Sequence, residues 1–289
     1  MTDIVVTPGG PGYPELLTRI PVPPERLFVR GGLERQDTLA VALVGSRNPT
    51  PYGRHMARRI AGDLALAGVT VVSGLARGID TEAHRAALRK GGRTIAVLGC
   101  GLDIDYPRGS RELKDAISGS GALLTEFKSG TPPLPGNFPS RNRIISGSSL
   151  AVVVVEAGRR SGSLITARWA LDQGREVMAV PGRADSPQSA GPIDLIRDGA
   201  LPVTCADDVL SGMGLELGEG RVDERISPEH AKYSPGNGPI LRALGPGPRL
   251  PEELVTATGW PLPKVLASLS GLMIEGLVTV EPGGLYTLA

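Results

Sequence analysis

The sequence predicts an α/β protein: a mostly parallel sheet covered by helices on both faces, followed by a small separate domain of three helices and a β-hairpin. Three observations predict it. From Thr38 to about Asp198, short apolar runs alternate with amphipathic segments of helical period, the pattern of βαβ units around a buried parallel sheet. The loops rich in Gly, Ser and Arg fall after the apolar runs, where strands end. Beyond a polar stretch at 211–238 the periodicity restarts in a different form and runs to the end of the chain.

The elements follow in order. Residues 1–37, rich in Pro and Gly, read as an N-terminal extension packed on the main domain, with a short helical patch over Pro14–Ile20. The main domain spans 38–210. Its strands are Thr38–Val44, Val69–Ser73, Thr94–Leu98, Ala122–Thr125, Ala151–Glu156 and Glu176–Val180. Between them lie helices at Gly53–Leu66, with Met56, Ile60 and Leu64 on one face and Gly68 as the stop, and at Asp80–Lys90, with Asp80 as N-cap and Gly91 as the stop. Further helices are expected at Arg111–Ile117, Arg141–Ser146, Ser163–Gln173 and Ile193–Asp198. Residues 211–238 read as a flexible linker. In 239–289, Ile240, Leu241 and Leu244 mark a first helix and Pro251–Thr256 a second. Leu262–Ile274 is the third, with Val265, Leu266, Leu269, Leu272 and Met273 turned inward. Two short strands flank Pro282-Gly283-Gly284. Three helices and a hairpin make a winged helix-turn-helix.

Composition bounds the function. The chain has 289 residues, 40% hydrophobic and 21% charged, with a net charge of +1, so no overall electrostatic argument for nucleic acid holds. The positive charge is nearly all arginine, the lysines being Lys90, Lys114, Lys128, Lys232 and Lys264. Arginine suits bidentate phosphate contacts, but only its local placement counts as evidence. Cys100 and Cys205 have no CxxC or histidine neighbours, which argues against a disulfide framework or a zinc site. No apolar run approaches the ~18 residues of a membrane span, and no signal segment opens the chain, so membrane insertion is not expected and a cytoplasmic location is.

The most informative stretch is Leu43-Val44-Gly45-Ser46-Arg47-Asn48-Pro49-Thr50-Pro51-Tyr52-Gly53. A strand, a small-residue turn and a helix start make an anion site, because the first N–H groups of a helix lack internal partners and the dipole there is positive. Gly45 and Ser46 leave a phosphate room to approach and Arg47 adds a two-pronged donor. The lysine of a P-loop and the spacing of a GxGxxG turn are both missing. Ser73-Gly74-Leu75-Ala76-Arg77-Gly78, Gly99-Cys100-Gly101 and Glu156-Ala157-Gly158 with Ser161-Gly162-Ser163 fall at the same strand ends, and ligands of open parallel sheets bind there, near a switch in strand order.

A search for an enzyme finds little. His55 lies on the polar side of a helix, and His84 has the place of a packing or hydrogen-bonding residue. No nucleophile elbow and no carboxylate pair of metal-site spacing are present. Glu126 and Glu156 end strands and either anchor loops or face the cleft. Aromatics make up only 3% of the chain, yet Tyr52, Tyr106 and Phe138 all fall in what read as loops at the binding edge. Arg108 follows Tyr106-Pro107, and Arg141 and Arg143 follow Phe138-Pro139. Aromatic beside arginine is the pairing expected for single-stranded nucleic acid, stacking on bases and contacting phosphates.

These motifs, in order, resemble the DprA/Smf (DNA-processing protein A) family. They are Gly45-Ser46-Arg47 with Tyr52-Gly53, Ser73 to Asp80 with Ala83-His84, Gly99 to Asp103 with Tyr106-Pro107, Phe138 to Gly147, Glu156-Ala157 with Ser161 to Ala167, and Val180-Pro181-Gly182. The resemblance covers about residues 13 to 210, and the C-terminal winged helix is similar to one that many members carry. It implies an extended Rossmann-like domain, single-stranded DNA binding without a cofactor or catalysis, homodimers, protection of incoming DNA in natural transformation, and loading of RecA recombinase. Single-strand binding protein, and duplex DNA at the winged helix, are further expected partners. By the same resemblance the phosphate loop falls on Gly45, Ser46 and Arg47, and a second loop on Ser73, Gly74, Arg77 and Gly78. The positive, aromatic rim falls on Arg108, Phe138, Arg141 and Arg143. Tyr52 and Ser161, Gly162 and Ser163 complete the expected site.

Two departures stand out: Ile193 occupies a position where the family usually has Asn, and the N-terminal residues leave no room for the small helical domain that many members carry. Two other readings stay open. A nucleotide phosphoribohydrolase on a related scaffold would use the Glu156–Thr166 stretch, which lacks that family's glutamate spacing. A duplex DNA binder would use Leu262–Ile274, which offers only Lys264 and Ser268 as outward polar groups.

Overall fold

The computed structural model describes residues 3–215, 238–245, 247–274, 277–281 and 284–288. They fall in two compact units, Met1–Glu216 and Leu217–Ala289.

The first unit opens with β1 (Ile4–Val6), α1 (Glu15–Thr18) and β2 (Leu27–Gly31). The parallel pattern then runs β3 (Ala40–Val44), α2 (Pro51–Leu66), β4 (Thr70–Ser73), α3 (Ile79–Arg89), β5 (Thr94–Val97), α4 (Arg111–Ser120) and β6 (Ala122–Thr125). It continues with α5 (Asn137–Gly147), β7 (Ala151–Val154), α6 (Ser163–Asp172), β8 (Glu176–Ala179), α7 (Ala190–Arg197), β9 (Leu201–Pro202) and α8 (Ala206–Gly212).

All nine strands form one sheet in the order β1-β2-β6-β5-β4-β3-β7-β8-β9. Strands β3 to β9 are parallel. From β3 the chain steps outward to β4, β5 and β6, then returns to the other side of β3 with β7. The order therefore reverses between β3 and β7, and a crevice opens at their C-terminal ends.

Period-two alternation sorts the strand side chains onto the two faces. Val41, Leu43, Val71 and Val153 pack with Ile60 and Leu64 of α2 and Ile79 of α3. Ala42, Val44, Val72 and Val154 pack with Ile144 and Ile145 of α5, Ala167 of α6 and Leu17 of α1. Helix α2 starts where Thr50 caps it, accepting from the Gly53 N–H at 3.2 Å, with Pro51 at the first helical position.

Three expectations for this unit need correcting. The N-terminal residues do more than pack on the domain: β1 and β2 extend its sheet in antiparallel register, Val29 facing Leu124, with Leu27 and Val29 buried. Helix α3 is capped by Gly78, and Asp80 lies inside it. Tyr52 and Phe138 sit in the first turns of α2 and α5, not in loops.

The second unit holds α9 (Gly238–Leu244), α10 (Pro251–Thr258), α11 (Leu262–Ile274), β10 (Val278–Glu281) and β11 (Leu285–Leu288). Its core is Ile240, Leu241, Leu244, Leu254, Val265, Leu269, Leu272 and Val278. Strands β10 and β11 pair antiparallel from Val278↔Leu288 to Glu281↔Leu285, completing a winged helix. Leu266 and Met273, expected inward, are 40% and 42% exposed. Most of the expected 211–238 linker, and Pro282-Gly283 of the expected turn, lie outside the described residues.

Candidate nucleic-acid interface

At the switch point the turn after β3 and the turn before α6 face one another across a cavity of about 700 Å³. Gly45, Ser46 and Arg47 line one side, Ser161, Gly162 and Ser163 the opposite side, and Phe138 and Arg141 of α5 the wall between. Arg47 is exposed. Its guanidinium carbon stands 5.7 Å from the Phe138 ring centroid, within cation–π reach. Tyr106 packs tilted against the same ring, centroids 5.4 Å apart. The ring is seated on Gly99, where a Cβ would come within 2.9 Å of Cδ1.

The glycines of these turns have different jobs. A Cβ on Gly45 would lie 2.7 Å from Ile79 Cγ1, so Gly45 serves the packing of its turn onto α3. Gly78, at φ +88°, would place a Cβ 2.3 Å from the Ser46 carbonyl. That carbonyl accepts from the Ile79 N–H at 3.1 Å, which locks the two loops together. Open space is found only at Gly162 among the glycines expected in the site. Gly162 caps α6 with Ser161 Oγ and Ser163 Oγ 2.7 Å apart beside it. This is the helix start that an anion can approach.

At the base of the wall lies a buried polar cluster. Arg141 is only 4% exposed. Its Nη1 donates to the carbonyls of Gly74, at 2.7 Å, and Val97. Asp80, also buried, accepts from the N–H groups of Gly74 at 3.1 Å and Ala76 at 3.3 Å. Those two bonds bracket Leu75, whose φ of +55° is a conformation L-residues rarely adopt. Burial pushes the Asp80 carboxyl up, against the pull of Arg141 and its hydrogen bonds. Burial also lowers the Arg141 guanidinium to about 10, which leaves it charged at neutral pH. His84, fully buried with Nδ1 2.7 Å from Thr94 Oγ1, is brought down to about 3 by burial, with Arg141 adding to the effect.

The expected site residues thus separate. Ser73 is buried and donates to the Leu43 carbonyl at 2.6 Å. Gly74 is covered by the Arg141 guanidinium. Arg77 and Arg108 are exposed but outside the cavity. Tyr52 donates to the Pro181 carbonyl at 2.7 Å and lines a neighbouring hollow. Two of the expected rim cations are not on the rim: Arg141 lies beneath it, and Arg143, 8% exposed, is a clamp. Arg143 pairs with both oxygens of Glu126 at 2.8 Å and donates from Nε to the Val22 carbonyl at 3.0 Å. Asp80, Asn142 and Arg160 are among the lining residues that the expected site did not include. Asn142 donates to the Gly162 carbonyl at 3.1 Å, joining α5 to the serine turn. The signal for it was its place one turn after Phe138. Among the described residues no group of three or more His, Cys, Asp or Glu side chains could hold a metal ion, and no helix is long and apolar enough to cross a membrane.

A switch-point cavity on a sheet of this order, together with a winged helix, defines a two-unit protein with a Rossmann-like first unit. Residues 4–214 match the family model for DNA recombination-mediator protein A, and residues 227–284 match the DprA winged helix domain. The chain belongs to the DNA recombination-mediator protein A family. It is 42% identical to protein Smf of Escherichia coli over 96% of this chain and 75% of that protein. It is 38% identical to protein Smf of Synechocystis over 97% of this chain and 79% of that protein. The crystal structure of DNA processing protein A from Streptococcus pneumoniae superposes with a TM-score of 0.69 at 42% identity, covering 73% of this chain and 74% of that one. A structure of the Helicobacter pylori protein, described for its single-stranded DNA binding mode, gives 0.65 at 28% identity, covering 73% and 95%.

Proposed function

We propose that the protein binds single-stranded DNA in the switch-point cavity and acts there as a recombination mediator. One observation carries the reading: Arg47 and the open start of α6 at Gly162 face one another across a cavity whose wall presents Phe138. Backbone phosphates bind at the Ser46-Arg47 turn and at Ser161, Gly162 and Ser163, and an unpaired base stacks on Phe138. The Helicobacter pylori relative's single-strand mode supports the same substrate. Glu156 argues against the hydrolase reading: its carboxylate accepts from the Thr50 N–H at 2.9 Å and from the Thr50 hydroxyl at 2.5 Å, the bonds of a loop anchor.

The finer role is protection of incoming DNA in transformation and loading of RecA recombinase onto the bound strand, with the protein as a homodimer. Single-strand binding protein is a further partner, and duplex DNA at the winged helix is a secondary contact. The first experiment is fluorescence anisotropy with single- and double-stranded oligonucleotides of equal sequence at several salt concentrations. Tight, salt-sensitive preference for the single strand is expected. Equal or stronger duplex binding would move the main site to the winged helix. RecA filament formation on strands precoated with single-strand binding protein then tests loading; no acceleration by this protein would remove that role.

A further inference from the structure

Helices α2 and α3 lie side by side on one face of the sheet, and both start at the edge that carries the cavity. Their outward surface is unusually one-sided in charge. It presents Arg54, Arg58, Arg59, Arg85, Arg89 and Lys90, all exposed. The carboxylates on these helices are Asp63 at the surface, Glu82, and Asp80, which is turned inward to the β4 loop.

Glu82 is the organising group. It is buried, and it accepts from Arg58 Nε at 2.7 Å and from Arg54 Nη1 at 3.4 Å. These hydrogen bonds, Arg58's above all, hold its carboxyl below the usual carboxylate range, so it stays ionised. One carboxylate therefore orders two guanidinium groups whose side chains remain 44% and 50% exposed. The arrangement keeps a net positive charge, and Arg58 meets Glu82 through Nε with half of its side chain still exposed. Pre-ordered forks lose less side-chain freedom when they meet a phosphate.

Beside this pair the helices enclose a groove of about 300 Å³. Its walls include Arg58 and Arg59 from α2, Arg89 from the end of α3 and Lys90 just after it, with His55 and Asp63 also in the lining. Small residues make the groove: Gly62 and Ala86 line it, and the Lys90 stem runs over Gly62, where a Cβ would come within 3.4 Å of Cγ. At 1.5 Å rise per residue, Arg58 lies ~11 Å along α2 from Pro51. The basic surface thus continues from the cavity edge, where Arg47 and Arg77 precede the two helices, down the flank of the domain.

We propose that this α2–α3 groove is a second phosphate-binding surface, which takes the sugar-phosphate backbone of the DNA strand after it leaves the switch-point cavity. The inference rests on the single-strand reading of the cavity. It adds a path for the strand, and with it a contact that depends on strand length and on charge but on no base. Polyanion recognition by arginine forks without aromatic neighbours gives that character.

The test compares two oligothymidylates, one of about 6 nucleotides and one of about 30, chosen around the ~4–16 nucleotides that a single-strand site commonly occupies. The full-length protein is compared with R59A/R89A/K90A, whose fold is checked by circular dichroism and melting. R59A and K90A singly serve if the triple variant is unfolded. The short strand should bind as before. The long strand should weaken at least tenfold at low salt, with a log–log salt slope shallower by about 2, near 0.7 per lost phosphate contact. Unchanged long-strand affinity and slope in a folded variant would overturn the proposal. So would loss of poly-glutamate binding with long-strand binding intact, which would assign the groove to an acidic polypeptide. Arg47→Ala, read on the short strand, isolates the cavity: if it has no effect there, the single-strand reading fails independently of the groove.

Discussion

Glu156, at the end of the strand region that includes β7, holds Thr50, 106 residues earlier, by both its N–H and its hydroxyl. Thr50 in turn caps α2, and Gly53 passes so close that a Cβ there would lie 2.3 Å from the Glu156 carboxyl. This single carboxylate ties the two strands that flank the switch point. Glu156→Ala leaves a part-buried N–H without its acceptor and is expected to cost about 1–3 kcal/mol. Denaturant titration measures that loss. Short-strand affinity should fall with it, because the Ser46-Arg47 turn is positioned by the same contact.

Arg47 and Arg141 flank one aromatic ring, at 5.7 and 5.9 Å from the Phe138 centroid, yet they should behave in opposite ways. Arg47 is exposed, so Arg47→Ala should change stability by less than about 0.5 kcal/mol and lower single-strand affinity at least tenfold. Arg141 is buried on two carbonyls beside Asp80. Arg141→Ala should cost about 3 kcal/mol or more, since it leaves buried acceptors unpaired and a buried carboxylate without its cation. Paired melting and anisotropy measurements separate the two. An Arg141 variant of full stability that has lost only DNA affinity would return it to the rim.

This contrast also marks how far the sequence could be read. The alternation of apolar runs and amphipathic helices located all seven parallel strands except the two-residue β9, and the Gly-rich loops after β3 and before α6 were expected at one edge, where the structure brings them together. The fate of each arginine was not legible. Arg143 and Arg47 look alike in sequence, and only Glu126 and the Val22 carbonyl, brought close by tertiary packing, make Arg143 a clamp. The antiparallel strands β1 and β2 escaped notice because, at three and five residues among prolines and glycines, they are too short for a period to show. Gly74 was expected in a second DNA-binding loop, whereas its missing side chain is room for Arg141.

Phe138 is half-buried, so removing its ring affects both packing and binding. Phe138→Ala should lose about 1–3 kcal/mol of single-strand affinity if a base stacks there. Phe138→Tyr, which keeps the aromatic face, should retain most of it. Gly99→Ala gives an independent check, because its Cβ would press on Cδ1 from below and displace the ring. Fluorescence anisotropy at fixed salt reads all three. Equal affinity for the alanine and tyrosine variants would leave Phe138 a packing residue.

The buried histidine sets an acid limit on the fold. His84 is held neutral in the folded state, its value brought down to about 3, while the unfolded chain takes up a proton near the ordinary 6.5. Below that ordinary value the unfolded state binds more protons, so stability falls as pH drops from about 6.5 toward 3 and is unaffected by this group above 7. His84→Gln, which keeps a hydrogen-bonding group near Thr94 but does not titrate, should flatten that limb. Urea midpoints from pH 7.5 to 4.5 measure it. A slope unchanged in the variant would place the acid sensitivity elsewhere.

The first unit carries its own cores, and the described residues that line the switch-point cavity belong to it. A chain ending at Glu216 should therefore fold and bind short single strands within about threefold of the full protein, a difference under about 0.7 kcal/mol. Duplex affinity should fall further if the winged helix supplies it. Its outward face on α11 is thin in polar groups, and Lys264 Nζ lies 3.8 Å from the Trp260 ring centroid. That placement covers an aromatic face and draws the cation toward the helix surface. Duplex binding through α11 should accordingly be weak, salt-sensitive and indifferent to sequence. Abolished single-strand binding in the shortened chain, with its helical signal intact, would show that the winged helix is the main DNA site.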